Sequence, residues 1–155
     1  MMIERSKKID NLTTAFAVLS TTITNKSKLS MLDDNRALEA VLAELLNMLY
    51  GFNFVDLNRE KHNHPAIDLG DISRGKAIQI TADGSKDKMV ESIGKLEKHG
   101  LNHTYKDITF LIISNSPKLT FQKKGYQISI KNFADLAKEI CSLPTEKFDE
   151  LYNFL

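Results

Sequence analysis

Pro65-Ala66-Ile67-Asp68-Leu69-Gly70-Asp71, followed after a turn by Ala77-Ile78-Gln79-Ile80-Thr81, is the stretch on which the fold reading turns. Side chains alternate between faces along a strand. Strands over Ala66–Leu69 and Ala77–Thr81, joined by a Gly70–Gly75 turn, are expected to form a hairpin. Ile67, Leu69, Ile78 and Ile80 would then lie behind it, with Asp68, Gln79 and Thr81 on the other side. Oxygen-bearing side chains gathered on one face of a hairpin have the chemistry of a Mg²⁺ site for phosphodiester cleavage.

Outward from the hairpin, Leu38, Val41, Leu42, Leu45 and Leu49 repeat at helical spacing, so a helix capped by Asp33 or Asp34 is expected to end at Tyr50–Gly51. At about 100° per residue, Glu39 sits roughly 90° from the centre of that apolar face and can reach the sheet, whereas Glu44 faces water. Phe52–Leu57 reads as a strand and Asn58–Pro65 as a loop. Ser85–His99 reads as a helix stopped by Gly100. Ile108–Ser114 is an apolar run suited to a strand buried on both faces. Leu119–Gln122 and Gln127–Ile130 are expected as edge strands, and Asn132–Ser142 and Thr145–Leu155 as helices. At the other end, Ile9, Leu12, Phe16, Leu19 and Ile23 form a narrow helical stripe. It calls for a helical partner, either the C-terminal helices or a second copy in a homodimer.

The expected organisation is one α/β domain over residues 1–155, with an N-terminal helix (1–30), a core (31–115) and C-terminal strands and helices (116–155). Three strands before the second helix argue against a doubly wound sheet. Gly70, Gly75 and Gly84 match neither dinucleotide-binding nor P-loop spacing. The lone cysteine, Cys141, excludes an internal disulfide and points to a reducing, cytoplasmic setting, where it is expected as a buried thiol. No apolar run approaches the roughly 18 residues of a membrane span. The net charge of +1 does not announce a nucleic-acid binder. Yet Lys86, Lys88, Lys95, Lys98, Lys106, Lys118, Lys123, Lys124 and Lys131 outweigh Asp87, Glu91, Glu97 and Asp107 within one stretch, a bias that a phosphate-tracking surface would share.

Pro65-Ala66-Ile67-Asp68 with Gln79-Ile80-Thr81 resembles the PD-(D/E)xK nuclease superfamily, whose core also runs helix, three strands, helix, strand. More narrowly, Glu39, Leu46-Asn47, Tyr50-Gly51, the string Leu57-Asn58-Arg59-Glu60-Lys61-His62-Asn63-His64-Pro65-Ala66-Ile67-Asp68-Leu69-Gly70-Asp71, and Ala77–Thr81 together resemble the bacterial SMEK domain. That domain stands at the N-terminus of proteins of defence or conflict systems. The resemblance implies a restriction-endonuclease-like core with extra terminal helices. It also implies Asp68 as central metal ligand, Gln79 as second ligand and Glu39 as helix acid, around Mg²⁺ or Mn²⁺. Where the superfamily carries lysine, this chain carries Thr81, which offers no cation to stabilise charge at phosphorus. Lys86, Lys88 or Lys61 would have to take that role.

Two functions follow. One is a Mg²⁺-dependent phosphodiesterase acting on nucleic acid, DNA rather than RNA. The other is a module of the same fold that binds nucleic acid or a protein and oligomerises without cutting. Asp71 is expected as a turn residue, and His62 and His64 as loop residues.

Overall fold

The computed structural model describes residues 2–28, 36–57 and 67–155. Helices α1 (Met2–Lys28) and α2 (Arg36–Tyr50) precede strands β1 (Val55–Asp56), β2 (Leu69–Asp71) and β3 (Lys76–Thr81). Helix α3 (Lys86–Lys98), strands β4 (Asp107–Ile112) and β5 (Gln127–Asn132), and helices α4 (Phe133–Cys141) and α5 (Thr145–Phe154) follow. The five strands make one open mixed sheet in chain order, antiparallel through β1, β2 and β3 and parallel through β3, β4 and β5. The expected caps at Asp33 and Asp34 and the loop carrying Lys61, His62 and His64 lie outside the described residues.

Alternation along β3 divides the interior in two. Ile78 and Ile80 join Leu111 and Ile113 in a core closed by α1, α2, α4 and α5. Ala77 faces the other way, with Ile108, Phe110 and Ile112, and is covered by Met89, Ile93 and Leu96 of α3. Burying an aliphatic or Phe side chain of this kind contributes about 1.5–3 kcal/mol, so both faces of the sheet are driven to acquire a helical cover. On α2, Leu42, Leu45 and Leu46 are buried, while Val41 and Glu44 are exposed.

The N-terminal stripe finds its partner inside the chain. Leu12, Phe16 and Ile23 are buried and Ile9 and Leu19 partly so. Phe16 stacks on Phe133 of α4 at 5.1 Å. Arg5 donates to Thr145 Oγ1 at 3.0 Å and to the Cys141 carbonyl at 2.9 Å, with its guanidinium 4.6 Å over the Phe148 ring. Cys141 is half-buried rather than sealed, because it lies beside this polar seam.

Several expected boundaries move. The first strand is Val55–Asp56 rather than Phe52–Leu57, because Gly51–Phe54 is held by side chains instead of a ladder. Asn47 accepts from Phe54 N–H at 2.7 Å and donates to its carbonyl at 3.0 Å. Leu119–Gln122 forms no strand: Phe121 packs its ring edge-on to Phe110 and so anchors the segment by its side chain. β2 begins at Leu69 and takes in Gly70 and Asp71, which were expected in the turn. A Cβ on Gly70 would stand 2.5 Å from the Tyr105 hydroxyl and 3.0 Å from Leu57, so only glycine lets Tyr105 cross the strand there.

Asp71 is the turn residue the pattern called for, and it does more than start the turn. Its carboxylate is buried and accepts from Asn53 N–H at 2.9 Å, the Ser73 hydroxyl at 2.8 Å and the Arg74 guanidinium at 2.9 Å. Burial pushes its pKa up, but these bonds outweigh burial and hold it at about 2, against 3.8 ordinarily. A carboxylate depressed in the folded state stabilises above its unfolded pKa and loses that contribution as pH falls through the folded one. Asp71→Ala should therefore destabilise by about 2–3 kcal/mol at neutral pH, as loss of a buried network does. Urea unfolding across pH should show the gap from wild type closing between about pH 4 and pH 2.

Candidate functional site

The hairpin's alternation breaks at Asp68. Register pairs Leu69 with Ile78, yet Asp68 N–H also donates to the Ile78 carbonyl at 2.9 Å. Two residues of one strand thus oppose one of the other, which is a β-bulge. The packing agrees: Ile67 enters the core under α3, and Leu69 the core under α2. The expectation that Ile67 and Leu69 share a face is corrected accordingly.

The bulge re-aims Asp68. Its Oδ2 accepts from Ile80 N–H at 2.7 Å, so the carboxylate takes the position where a further β2 carbonyl would continue the ladder. It is thereby fixed at the backbone of the residue that follows Gln79. Gln79 lies opposite Phe110 on the α3 side of the sheet. Its Oε1 is buried and, among the described residues, has no hydrogen-bond partner. An orphaned buried acceptor costs about 1–3 kcal/mol. A carboxylate and an amide oxygen are each hard-oxygen donors of the kind a divalent cation takes. Glu39 lies on α2, whose buried side faces the opposite sheet surface from Gln79. Among the described residues, no three His, Cys, Asp or Glu side chains are grouped to hold a metal ion.

Thr81 is occupied elsewhere. Its hydroxyl oxygen accepts from Asp83 N–H at 3.0 Å and donates to the Asp83 carbonyl at 3.2 Å. Asp83 accepts from Ser85 N–H at 2.9 Å, and Ser85 caps α3 by accepting from Lys88 N–H at 3.2 Å. The Ser114 hydroxyl binds the Ala82 carbonyl at 2.7 Å, and a Cβ on Gly84 would meet Ile112 at 2.9 Å. This chain of short contacts holds the loop from β3 to α3 in one shape. Lys86 is exposed on the first turn of α3 and Lys88 is half-buried. Asp83 is held below the usual carboxylate range by its bonds to Ser85, with Lys88 adding to the effect. Lys88 also acts on Glu91, holding both acids lower.

The alternation reading of the hairpin passed over a second constellation, on the α2 side of the sheet. Tyr50, at the end of α2, donates its hydroxyl to Glu139 and accepts from Lys131 at 2.8 Å, and Lys131 also donates to Glu139 at 2.7 Å. Burial and the bond to Glu139 push the Tyr50 pKa up to about 12, so it remains a donor. The sequence signal is faint: Ser129 and Lys131 alternate along β5, and Thr109 interrupts the apolar run of β4.

If Gln79 is retained for a ligand and not for the fold, Gln79→Leu should melt no lower than wild type and should gain up to about 1 kcal/mol. Thermal unfolding of the two proteins checks this. A loss of more than about 1 kcal/mol would assign Gln79 a structural bond.

The SMEK domain family matches this chain over residues 11–142. No curated protein and no solved structure matches it.

Proposed function

The chain belongs to the SMEK domain family, and we propose that it is a divalent-cation-dependent, nuclease-like domain acting on nucleic acid, with a restriction-endonuclease-like core and a place in bacterial defence. The observation that carries this reading is the bulge, which anchors the Asp68 carboxylate on Ile80 N–H, taken with the buried Oε1 of Gln79, the preceding residue on β3, which has no partner among the described residues. The element order supports it too: α2, then three strands, then α3 and β4.

Asp68 and Gln79 would hold the cation, Mg²⁺ or Mn²⁺. Glu39, whose helix covers the opposite sheet face from Gln79, stands outside this pair. When bound, such an ion supplies Lewis-acid stabilisation of charge on a phosphoryl oxygen. The chain's own contribution is positional. Ile80 N–H holds Asp68 in one rotamer, and the locked Thr81–Ser85 loop sets the start of α3, from which Lys86 and Lys88 are the cations proposed to meet phosphate. Lys61 is the third candidate for that role. The nucleic acid, DNA in the first instance, would track the lysine-rich stretch from Lys86 to Lys131. A cytoplasmic setting suits this function.

One observation favours a second reading, a module of this fold that binds without cutting. The Thr81 hydroxyl is spent on its own turn, so the position of the usual lysine contributes nothing to phosphate. Homodimerisation would belong to this reading, although the Ile9–Ile23 stripe expected to drive it is covered by α4 and α5.

The test uses Asp68→Asn. Alanine would also remove the acceptor for Ile80 N–H, a bond to a charged group of about 1.5–3 kcal/mol, so Asp68→Ala is not expected to leave the fold untouched. Asparagine keeps an oxygen for Ile80 while removing the charge. Calorimetry with Mn²⁺ and single-stranded or duplex DNA should show binding to wild type weakened at least about tenfold in Asp68→Asn, with cleavage lost. Lys88→Ala should lower turnover with Mn²⁺ affinity unchanged. Equal Mn²⁺ affinity in wild type and Asp68→Asn, with no cleavage by either, would replace this reading with the binding module.

A further inference from the structure

Where α2 stops at Tyr50, the sheet is left without helical cover at the N-terminal ends of β3, β4 and β5. Gly51, at φ 71°, turns the chain aside, and Asn47 and Asp71 clamp Gly51–Phe54 back against the fold. A cavity of about 230 Å³ remains between this segment and the sheet. Its walls are aromatic: Phe52 stacks on Tyr50 at 5.5 Å and meets Phe54 edge-on at 5.7 Å. Its floor is not the continuous aliphatic surface found further along the same strands. Thr109 and Ser129 are direct neighbours in the β4–β5 register, both line the cavity, and neither hydroxyl bonds to any described residue.

The charges at the rim cancel. Lys76 pairs with Asp107 at 2.5 Å, and Lys131 with Glu139 at 2.7 Å. Two compensated pairs select neither an anion nor a cation. Lys76 and Lys131 also stand 5.2 Å and 4.8 Å from the Phe52 and Tyr50 ring centres, which stiffens the walls. The volume falls below the roughly 300–1,000 Å³ of sites for drug-sized ligands, so the occupant has one or two rings. Aromatic walls favour a flat π-system, and two adjacent hydroxyls that both donate and accept favour an edge of alternating donors and acceptors.

We propose that this cavity is a binding site for an uncharged planar heterocycle of the nucleobase class, seated between Phe52 and the Thr109–Ser129 floor. It is on the opposite sheet face from Gln79 and stands independently of the cation site. Two sources offer this chemistry, a free nucleoside and an unpaired base within a nucleic-acid strand.

The probes are uridine, cytidine, adenosine and a pentanucleotide of each base, with toluene as a flat ligand that makes no hydrogen bonds. Binding to the full chain is followed by ligand-observed NMR and by amide chemical-shift mapping. At least one base should bind with a millimolar or tighter dissociation constant and shift the amides around Thr109 and Ser129. The tighter of nucleoside and pentanucleotide identifies the source. Thr109→Val with Ser129→Ala, which keeps side-chain volume nearly constant, should weaken that base at least about tenfold and leave toluene unaffected. All of these measurements are made without a divalent cation, so that base binding at this cavity is read apart from the cation site and failure here is separate from failure of the nuclease reading. No base binding in the millimolar range would overturn the proposal. So would shifts centred on Gln79, or a double variant that binds the base as tightly as wild type. Should the double variant fail to fold, shift mapping on the wild type still decides.

Discussion

The bulge at Asp68 is the constraint from which the two-sided architecture follows. A regular strand would send Ile67 and Leu69 to the same face and leave one of the two cores without an aliphatic. With one extra residue opposite Ile78, Ile67 packs under α3 and Leu69 under α2. The extra residue shares Ile78 with Leu69, and its side chain extends the ladder: the Asp68 carboxylate stands in for a carbonyl at Ile80 N–H. Bulges beside functional sites re-aim side chains in this way.

A second set of polar contacts supports the first. Asp71 and Asn47 take over where the sheet gives out, binding the backbone of Asn53 and Phe54 in place of a strand partner. Tyr105 lies over Gly70 with no room for a methyl group. Asn47, Gly51, Gly70 and Asp71 therefore answer to architecture, whereas the amide oxygen of Gln79 is not used by any described residue. The orphaned Gln79 oxygen is the clearest sign of that division, since a core that needed only stability would carry an aliphatic there.

Much of the fold was legible because it follows from period. The stripe on α1, the face of α2, the extent and stop of α3, and the apolar run of β4 are patterns that local spacing reveals. What was not legible depends on contacts distant in sequence. The Asp68 bulge requires knowing that Ile67 and Leu69 serve different cores, which alternation cannot tell. Phe52–Leu57 reads as a strand throughout because its side chains alternate, but the backbone of Asn53 and Phe54 is held by Asp71 and Asn47. Phe121 looked like part of a strand and is a plug against Phe110. Thr81 was legible as a departure from the expected lysine, but its use as a turn-former depends on Asp83 two residues on. The cavity floored by Thr109 and Ser129 joins strands that each read as ordinary on their own.

The central claim is that the bulge holds Asp68 where it shares a cation with Gln79. Crystals soaked in Mn²⁺ and measured at a wavelength where manganese scatters anomalously test it directly. The account predicts an anomalous peak within hard-oxygen coordination distance, about 2.0–2.6 Å, of an Asp68 carboxylate oxygen and of Gln79 Oε1. An Mn²⁺ peak bound only elsewhere on the molecule, with Gln79 still unpartnered beside an unchanged Asp68–Ile80 bond, would contradict it.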